Sequence, residues 1–554
     1  MLARLSTAGR AYRTVLANPD LRRVQFAFAA SITAEWAAFV ALAVFAYGVG
    51  GARHVALVGV IRMVPAALAT PFAALAGDRF RRERVLVLLT AGSAAALAAS
   101  ALIFFTFRGE LAIYALAGVL AVLSTLAGPT LTALLPSLAR TPEELVASNG
   151  TASTTESLGT LAGPLCAGVV VAVADPGAVF AIGAGAYAAA AVAGLTVETP
   201  GARPPGSAPV GRMGREFLAG FHVVVRERHP RLIVTLFAAQ TVVRGALNVL
   251  IVVLAFRLLG SGESWVGFLT AALGAGGLVG ALWALSLTGE RLAAPFAFGL
   301  LLWGLPISVL AGWPHELSAF LLIALVGVGN SLADVAGITL LQRLVSDDVL
   351  TRVLGVLWGL SMAGAAVGFA LAPPLVDGLG PRGALVAVGL FLPLVTLLAW
   401  PRLAAIDHTA APPLRELGLL EDIPMFSALS LAAKERLARS LVPVEVPAGE
   451  TVITEGEHGD RFYVVLEGEA DVAERGERRC THGPGEYFGE IALLRDVPRT
   501  ATVTARTPLG LCALDRESFL EALSWHAVGR AAGEEVVDER LARGKPDGVA
   551  APRP

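Results

Sequence analysis

The chain has 554 residues, of which 55% are hydrophobic and only 16% are charged, whereas roughly a quarter are charged in ordinary soluble proteins. The net charge of −2 argues against a nucleic-acid partner, and three scattered cysteines are too few for a disulfide framework or a cysteine metal site. The charge deficit is concentrated in residues 24–400, which predicts a polytopic membrane domain followed by a polar domain.

Twelve apolar segments of membrane-spanning length occur in two sets of six. The predicted spans are 24–47, 55–76, 85–107, 111–138, 145–173 and 178–197, then 232–258, 265–287, 292–312, 317–345, 349–376 and 383–400. The predicted domains are a first six-helix bundle (1–200), a linker with an interfacial helix (201–230), a second bundle (231–401), a short linker (402–418), a polar domain (419–542) and a disordered tail (543–554).

Arginine predicts the orientation of these spans. Arginines cluster before the first span, in the loop after the second span and in the central linker, whereas loops of the opposite parity carry few. By the positive-inside rule, both termini and the polar domain are expected on the cytoplasmic side of the cell (inner) membrane.

The two sets of spans also repeat one another. A shift of 205 residues places Gly150, Gly159 and Gly163 of the fifth span on three glycines of the eleventh. This repeat predicts two parallel six-helix bundles with a substrate site between them near the midplane.

The loop between spans two and three reads ALAGDRFRRERVL. It resembles the cytoplasmic-loop signature of the major facilitator superfamily. Asp78, Arg79 and Arg82 match the acidic and basic positions of that signature, while Ala74 and Arg81 stand where glycines are usual. The resemblance implies that Asp78 pairs with arginines of a neighbouring helix and locks the inner gate.

The fifth span contains GTASTTESLGTLAGPLCAG, which resembles the antiporter motif of drug:proton exporters. The matching residues are Gly150, Gly159, Gly163, Pro164 and Gly168, while Ala167 replaces one glycine. Small residues let helix backbones approach closely, and a proline bends the helix. The alternative is that these glycines serve only the packing of membrane helices. The spacing of the motif, together with its Gly-Pro pair, favours a gating role.

Five ionisable side chains lie inside predicted spans: Glu35, Arg62, Glu156, Arg244 and Asp334. A charge at the bilayer centre costs about 2.5–3.5 kcal/mol on insertion scales, so such residues are functional candidates. We expect Glu35 to exchange protons; the alternative is a structural pair with Arg62 or Arg244. Arg244 is expected either to neutralise Glu35 or to bind an anionic substrate. Apolar, small-residue cavity walls favour an amphipathic cargo and export.

The polar domain begins with a helical segment and continues with short period-two segments bounded by glycine, proline or charge. This pattern predicts about eight strands in an antiparallel β-barrel or jelly roll. Helices are predicted to begin at Arg516 and to run over 525–542.

Between two of these strands lies GEYFGEIALLRDVPRTATV, in which EIALL is predicted to form one helical turn. Arg499 can bind an anionic oxygen bidentately, and Glu490 can accept hydrogen bonds from hydroxyls. A carboxylate for hydroxyls beside an arginine for phosphate describes a ribose-phosphate site.

This segment resembles the phosphate-binding cassette of cyclic nucleotide-binding domains. The resemblance implies that Glu490 binds the ribose 2′-hydroxyl, Arg499 the cyclic phosphate, and Thr500 adds a hydroxyl. The implied site comprises Phe488, Gly489, Glu490, Ile491, Ala492, Arg499, Thr500 and Ala501. The expected ligand is cAMP or cGMP, with no other cofactor and no metal; the alternative is an empty barrel.

These patterns predict a membrane all-α, twelve-helix major facilitator fold plus a cytoplasmic α+β domain with a β jelly-roll barrel. The expected function is not enzymatic: a proton-coupled exporter of amphipathic small molecules, regulated by a cyclic nucleotide. The expected partners are the lipid membrane, the nucleotide, the cargo and the proton. The alternatives are a membrane-anchored cyclic-nucleotide receptor that does not transport, and a lipid transporter without proton coupling.

Overall fold

The chain forms two units, Met1–Ala410 and Ala411–Pro554. The computed structural model describes residues 15, 17–79, 82–107, 109–138, 142–197, 221–222, 224–284, 291–345, 347–410, 414–421, 423–427, 429 and 431–524. Most of the predicted interfacial-helix segment and all of the predicted helix over 525–542 lie outside these residues. So do the side chains of Asp78, Arg79 and Arg82, although Asp78 and Arg79 end one helix and Arg82 begins the next.

The regular elements among the described residues of the first unit are all helices. Its helices are α1 (Pro19–Arg79), α2 (Arg82–Thr106), α3 (Glu110–Leu138), α4 (Pro142–Val173), α5 (Pro176–Leu195), α6 (Arg228–Val253), α7 (Ser264–Ala284), α8 (Ala293–Gly312), α9 (Glu316–Leu344) and α10 (Asp347–Ala410). A π-helical turn, Leu254–Leu259, extends α6. All ten helices are long and apolar enough to cross a membrane. A helix suits this environment because it satisfies its backbone hydrogen bonds within the segment.

Two of these ten helices contain a break in their backbone. In α1, Gly51 adopts φ 64° and Gly50 is also non-helical. The Arg62 guanidinium lies 4.7 Å from the ring centre of Phe39, whereas 23 residues of straight helix would separate them by about 35 Å. The chain therefore reverses at this break. In α10, Gly380 (φ 71°) interrupts the helix in the same way. Dividing both helices at these breaks gives twelve helical segments among the described residues, whereas ten undivided helices meet the length and apolarity of a membrane span; the sequence predicts twelve spans.

The sequence repeat between the two halves corresponds to equivalent helix crossings. A Cβ added to Gly163 of α4 would lie 2.6 Å from the backbone oxygen of Thr33 in α1. A Cβ on Gly368 of α10, which the 205-residue shift aligns with Gly163, would clash with the backbone oxygen of Val242 in α6. Gly163 thus permits close backbone contact between α4 and α1, and Gly368 permits the equivalent contact between α10 and α6.

The second unit contains two antiparallel sheets with the strand orders β1-β8-β3-β6 and β2-β7-β4-β5. The strands are β1 (Val442–Val446), β2 (Thr451–Ile453), β3 (Arg461–Glu467), β4 (Ala470–Glu474), β5 (Glu477–His482), β6 (Tyr487–Phe488), β7 (Thr502–Ala505) and β8 (Leu509–Asp515). Its helices are α11 (Leu414–Glu421), α12 (Pro424–Ser427), α13 (Leu431–Ser440), α14 (Glu490–Arg495) and α15 (Arg516–Ser524). The predicted number of strands is confirmed.

Strand β3 is buried on both faces and divides the core of this unit. Phe462 and Val464 point to one side, where they pack with helical residues such as Phe426 and Phe519. Val465 points to the other side, into the apolar layer between the two sheets. Because side chains alternate along a strand, one strand anchors both the helices and the second sheet. This packing holds the β6–β7 connection, which contains α14, in a fixed place.

Candidate functional site

A short helix, α14, begins at Glu490 directly after strand β6. Gly489 precedes it in the left-handed region at φ 92°, which glycine adopts without steric cost. A Cβ at this position would lie 2.8 Å from Nη1 of Arg499 and 2.9 Å from the backbone oxygen of Arg461. The glycine is therefore required both by the turn and by the close approach of the Arg499 guanidinium.

Arg499 is buried, with 5% of its surface exposed. Its Nη1 donates to the backbone oxygen of Gly489 at 3.0 Å, and its Nη2 donates to the backbone oxygen of Arg461 at 2.8 Å. Nη2 also pairs with a carboxylate oxygen of Asp460 at 3.3 Å. The guanidinium thus binds the backbone of Gly489, the residue next to Glu490. Glu490 is itself only 1% exposed. The fold thus brings the Arg499 guanidinium to the backbone at the start of α14, where Glu490 lies, although the sequence places the two residues nine apart.

The other predicted residues of this segment surround the pair at different depths. Phe488 and Ala492 are buried, Ile491 and Ala501 are half-buried, and Thr500 is exposed. A carboxylate and a guanidinium held in this way provide an acceptor for hydroxyls and a donor fork for a phosphate.

Two interactions around this site escaped sequence reasoning. Asp460 is the ion-pair partner of Arg499; its position beside Gly459, at the turn before β3, was the available signal. Asp496 ends α14 in the left-handed conformation and pairs with Arg516, the first residue of α15, at 2.5 Å. The second pair links the candidate site to the next helix, and residues 20 apart carry no local pattern that predicts it.

The membrane unit contains a cavity of about 420 Å³. Residues from α1 to α5, all in the first half, line it: Ala27, Phe28, Ser31, Ile32, Glu35, Leu86, Leu89, Thr90, Ser93, Ser124, Ala127, Gly128, Leu131, Leu135, Asn149, Ala152, Ser153, Glu156 and Tyr187. The sequence repeat predicts a site between the two halves, whereas the lining of this cavity comes from one half. Two predicted charges, Glu35 and Glu156, lie on its wall.

Glu35 interacts with several groups around this cavity. Arg62 and Glu156 act on its carboxylate electrostatically, and the Ser124 hydroxyl beside it lies 3.4 Å from the Tyr187 hydroxyl. The Arg62 side chain, however, lies over the ring of Phe39 and lines a separate small pocket. The sequence left two partners open for Glu35, and the structure places Arg62 near it.

Arg244 instead belongs to a polar cluster in the second half. Its guanidinium donates to Asn330 Oδ1 and lies 3.6 Å from a carboxylate oxygen of Asp334. Gln240 and Asn330 each donate to Asp334, at 3.3 and 3.0 Å, and Trp303 Nε1 donates to Asn330 at 2.9 Å. Sequence reasoning missed Gln240, Asn330 and Trp303. The four-residue spacing of polar residues within α6 and α9 was the available signal, because such residues share one helix face.

The two halves of the membrane unit contact each other near the break in α1. Arg53 donates two hydrogen bonds to one carboxylate oxygen of Asp377, at 3.1 and 2.8 Å. Tyr47 stacks on Phe256 of the second half with ring centres 4.5 Å apart. From Glu35 the cavity extends towards those ends of α1 to α4 that lie away from this break.

The predicted gating motif in α4 also lies at this junction. A Cβ added to Gly267 of α7 would lie 2.5 Å from the Cα of Gly168 and 2.6 Å from the backbone oxygen of Pro164. Gly159 and Gly163 of the same motif face α1, and an added Cβ at Gly150 would contact nothing within 4 Å. The motif therefore places α4 in backbone contact with helices of both halves.

Two family models match the chain: Major Facilitator Superfamily at residues 24–294 and cyclic nucleotide-binding domain at residues 443–526. The cAMP-dependent protein kinase regulatory subunit of Yarrowia lipolytica is 45% identical over 108 residues, 19% of this chain and 29% of that protein. The protein of the same name from Eremothecium gossypii is 43% identical over 105 residues, 19% and 23% of the two chains. The solved structure of PKAR CBD2 with Sp-2Cl-cAMPS bound is 27% identical, with a TM-score of 0.21, and the match covers 24% of this chain and 95% of that one. This chain spans less than a third of either curated relative.

Proposed function

Because the chain joins a Major Facilitator Superfamily transporter region to a C-terminal cyclic nucleotide-binding domain, we propose that it is a proton-coupled exporter of amphipathic small molecules whose transport a cyclic nucleotide regulates. The observation that carries the regulatory part is the buried Arg499 guanidinium bound beside Glu490. The membrane cavity with Glu35 on its wall supports the transport part.

The proposed nucleotide contacts follow from the donors and acceptors of this site. Three of the five N–H donors of Arg499 are used within the protein, and the remaining donors bind the cyclic phosphate. Glu490 accepts the ribose 2′-hydroxyl, while Gly489, Ala492 and Thr500 complete the phosphate and ribose contacts. The kinase regulatory subunits that resemble this chain are named for their dependence on cAMP, so cAMP is the ligand that we propose.

The proposed path by which nucleotide binding affects the rest of the protein begins at the Asp496–Arg516 pair. Asp496 ends α14, and Arg516 begins α15. A ligand that moves α14 therefore moves α15, and with it the chain that follows. Such movement regulates transport only to the extent that the ligand binds the two transport states with different affinity.

The proposed coupling group is Glu35, because a carboxylate on a cavity wall inside the membrane unit is positioned to take up and release a proton. The proposed orientation has both termini and the nucleotide-binding unit in the cytoplasm, as the arginine distribution indicates. The gating residues are the α4 glycines with Pro164, and the Asp78 loop.

The test is transport by the full-length protein in vesicles loaded with a pH-sensitive dye. Amphipathic compounds of positive, negative and zero charge are added in turn under a proton gradient, with and without saturating cAMP on both sides. We expect at least one compound to drive protons across the vesicle membrane, which the dye reports as a change in internal pH. We expect cAMP to change the rate of this proton movement, and the Arg499→Ala variant to lose that response to cAMP. A rate that cAMP leaves unchanged would refute regulation.

The Glu35→Gln variant distinguishes transporter from receptor. Only a proton-coupled transporter loses gradient-driven flux with this substitution. A protein that binds cAMP with no flux for any compound would be a membrane-anchored receptor, and compound flux without proton movement would indicate uncoupled transport.

A further inference from the structure

The wall of the 420 Å³ cavity is asymmetric in charge. Glu35 and Glu156 both line it. Among the described residues that line the cavity, none is a lysine, arginine or histidine. The nearby Arg62 lies outside this lining, with its guanidinium over the ring of Phe39. The cavity therefore presents two carboxylates with no cation on its own wall.

Two hydroxyl groups of the wall, those of Thr90 and Ser93, add to this asymmetry. Thr90 donates its hydroxyl proton to the backbone oxygen of Leu86, and Ser93 donates to that of Leu89, each at 2.9 Å within α2. Once the proton is used in this way, the hydroxyl oxygen has only lone pairs to offer a ligand. These positions of the wall thus present acceptors rather than donors.

The second half contains an intramembrane arginine that has partners of its own among the described residues. Its membrane arginine, Arg244, is held by Asp334 and Asn330. An anionic ligand would therefore meet two carboxylates, whereas a cation with N–H or polarised C–H groups would meet groups of opposite charge. Opposite charges inside a protein attract more strongly than in water.

From these contacts we propose that the cavity binds an organic cation, and that the cargo class of the transporter is therefore the amphipathic cations. This inference rests on the proposed transport function. Glu35 and Glu156 contact the charged group, and the apolar body packs against residues such as Phe28, Leu131 and Leu135. The volume falls in the range of about 300–1,000 Å³ that small-molecule sites occupy.

The test uses two probes of matched shape and opposite charge, tetraphenylphosphonium and tetraphenylborate. Equilibrium binding of each is measured on the purified full-length protein in detergent. We expect saturable binding of the phosphonium and binding of the borate at least tenfold weaker. Because both probes are measured on the same unmodified protein, this comparison does not depend on a variant that folds.

Variants then locate the binding site. Glu35→Gln and Glu156→Gln are each expected to weaken phosphonium binding about tenfold or more, since truncating one partner of a close charge pair affects affinity by at least that much. Glu227→Gln is the matched control: Glu227 is exposed at the start of α6, makes no capping bond with its side chain, and lies outside the cavity. Gel filtration checks that each variant remains folded.

Equal binding of the two probes, no saturable binding of the phosphonium, or unchanged binding in both cavity variants would each overturn the proposal. Failure of the proposed function looks different. Phosphonium bound as expected but never transported would refute the transporter and leave the cation site intact. Proton-coupled transport of only neutral or anionic compounds would refute the cation site and leave the transporter intact.

Discussion

Replacing Arg499 by alanine tests the nucleotide site most directly. The guanidinium is buried and bound to two backbone oxygens, so a phosphate that reaches it forms an ion pair shielded from water. Its present carboxylate partner, Asp460, is 72% exposed on its side chain, and a pair of that kind contributes about 0–1 kcal/mol. The pair with Asp460 therefore adds little to the energetics of Arg499, and we expect the phosphate contact to dominate.

Truncating one partner of a buried charge pair costs about 2–5 kcal/mol, which corresponds to roughly 30- to 3,000-fold in Kd at about 1.4 kcal/mol per tenfold. The side chain of Arg499 is only 4% exposed, so we expect the Arg499→Ala variant to lie in the upper part of that range. The assay is isothermal titration of the purified full-length protein with cAMP and, in parallel, with cGMP.

The same substitution also removes the donors to Gly489 and Arg461. An unsatisfied buried acceptor costs about 1–3 kcal/mol, so the melting temperature of the nucleotide-binding unit is expected to fall as well. Arg506→Ala is the matched control, because Arg506 is a half-exposed arginine of the same unit, paired with Glu469. A folded Arg499→Ala variant whose Kd is within threefold of the unmodified protein would refute this reasoning.

Three further outcomes are expected. The Ser518 backbone N–H, and then its hydroxyl, hold the pKa of the Asp515 carboxyl below its ordinary value of 3.8. The stabilisation from these hydrogen bonds is therefore present above about pH 4 and is lost as the pH falls through the lowered pKa. Asp515→Ala should lower the free energy of unfolding by about 1 kcal/mol in denaturation curves measured at neutral pH. Gly267→Leu should reduce flux at least tenfold and lower the free energy of unfolding by about 1–3 kcal/mol, because the added side chain would collide with Gly168. Gly185→Leu is the control and should have neither effect, because a Cβ there would meet nothing within 4 Å. Arg53→Ala should change flux less than fivefold, since its pair with Asp377 is exposed and contributes at most about 1 kcal/mol.

Local chemistry accounts for the features that the sequence predicts correctly. The spans follow from the length of apolar segments, because backbone groups in lipid must be satisfied within the helix. The strands of the second unit follow from period-two alternation, and α14 and α15 occur where helical segments are expected. Glu490 and Arg499 are assigned together because their spacing and residue types match a known binding segment.

Long-range pairing decided the rest. The partners of Arg244 lie 86 and 90 residues away in α9, and no local pattern chooses between Asp334 and Glu35 as its counter-charge. Asp460 meets Arg499 because β3 and the segment after α14 lie side by side. Each of these choices depends on which helix or strand packs beside which.

The sequence by itself determined that an apolar helical unit precedes a polar unit, and it determined the residue types of both candidate sites. Periodicity, hydropathy and residue spacing are local properties that survive without a fold. Only the tertiary structure decided that the cavity is lined by the first half and that both of its charged lining residues are acidic. The charge of a cavity is a sum over side chains from five helices, and that sum exists only once the helices are packed.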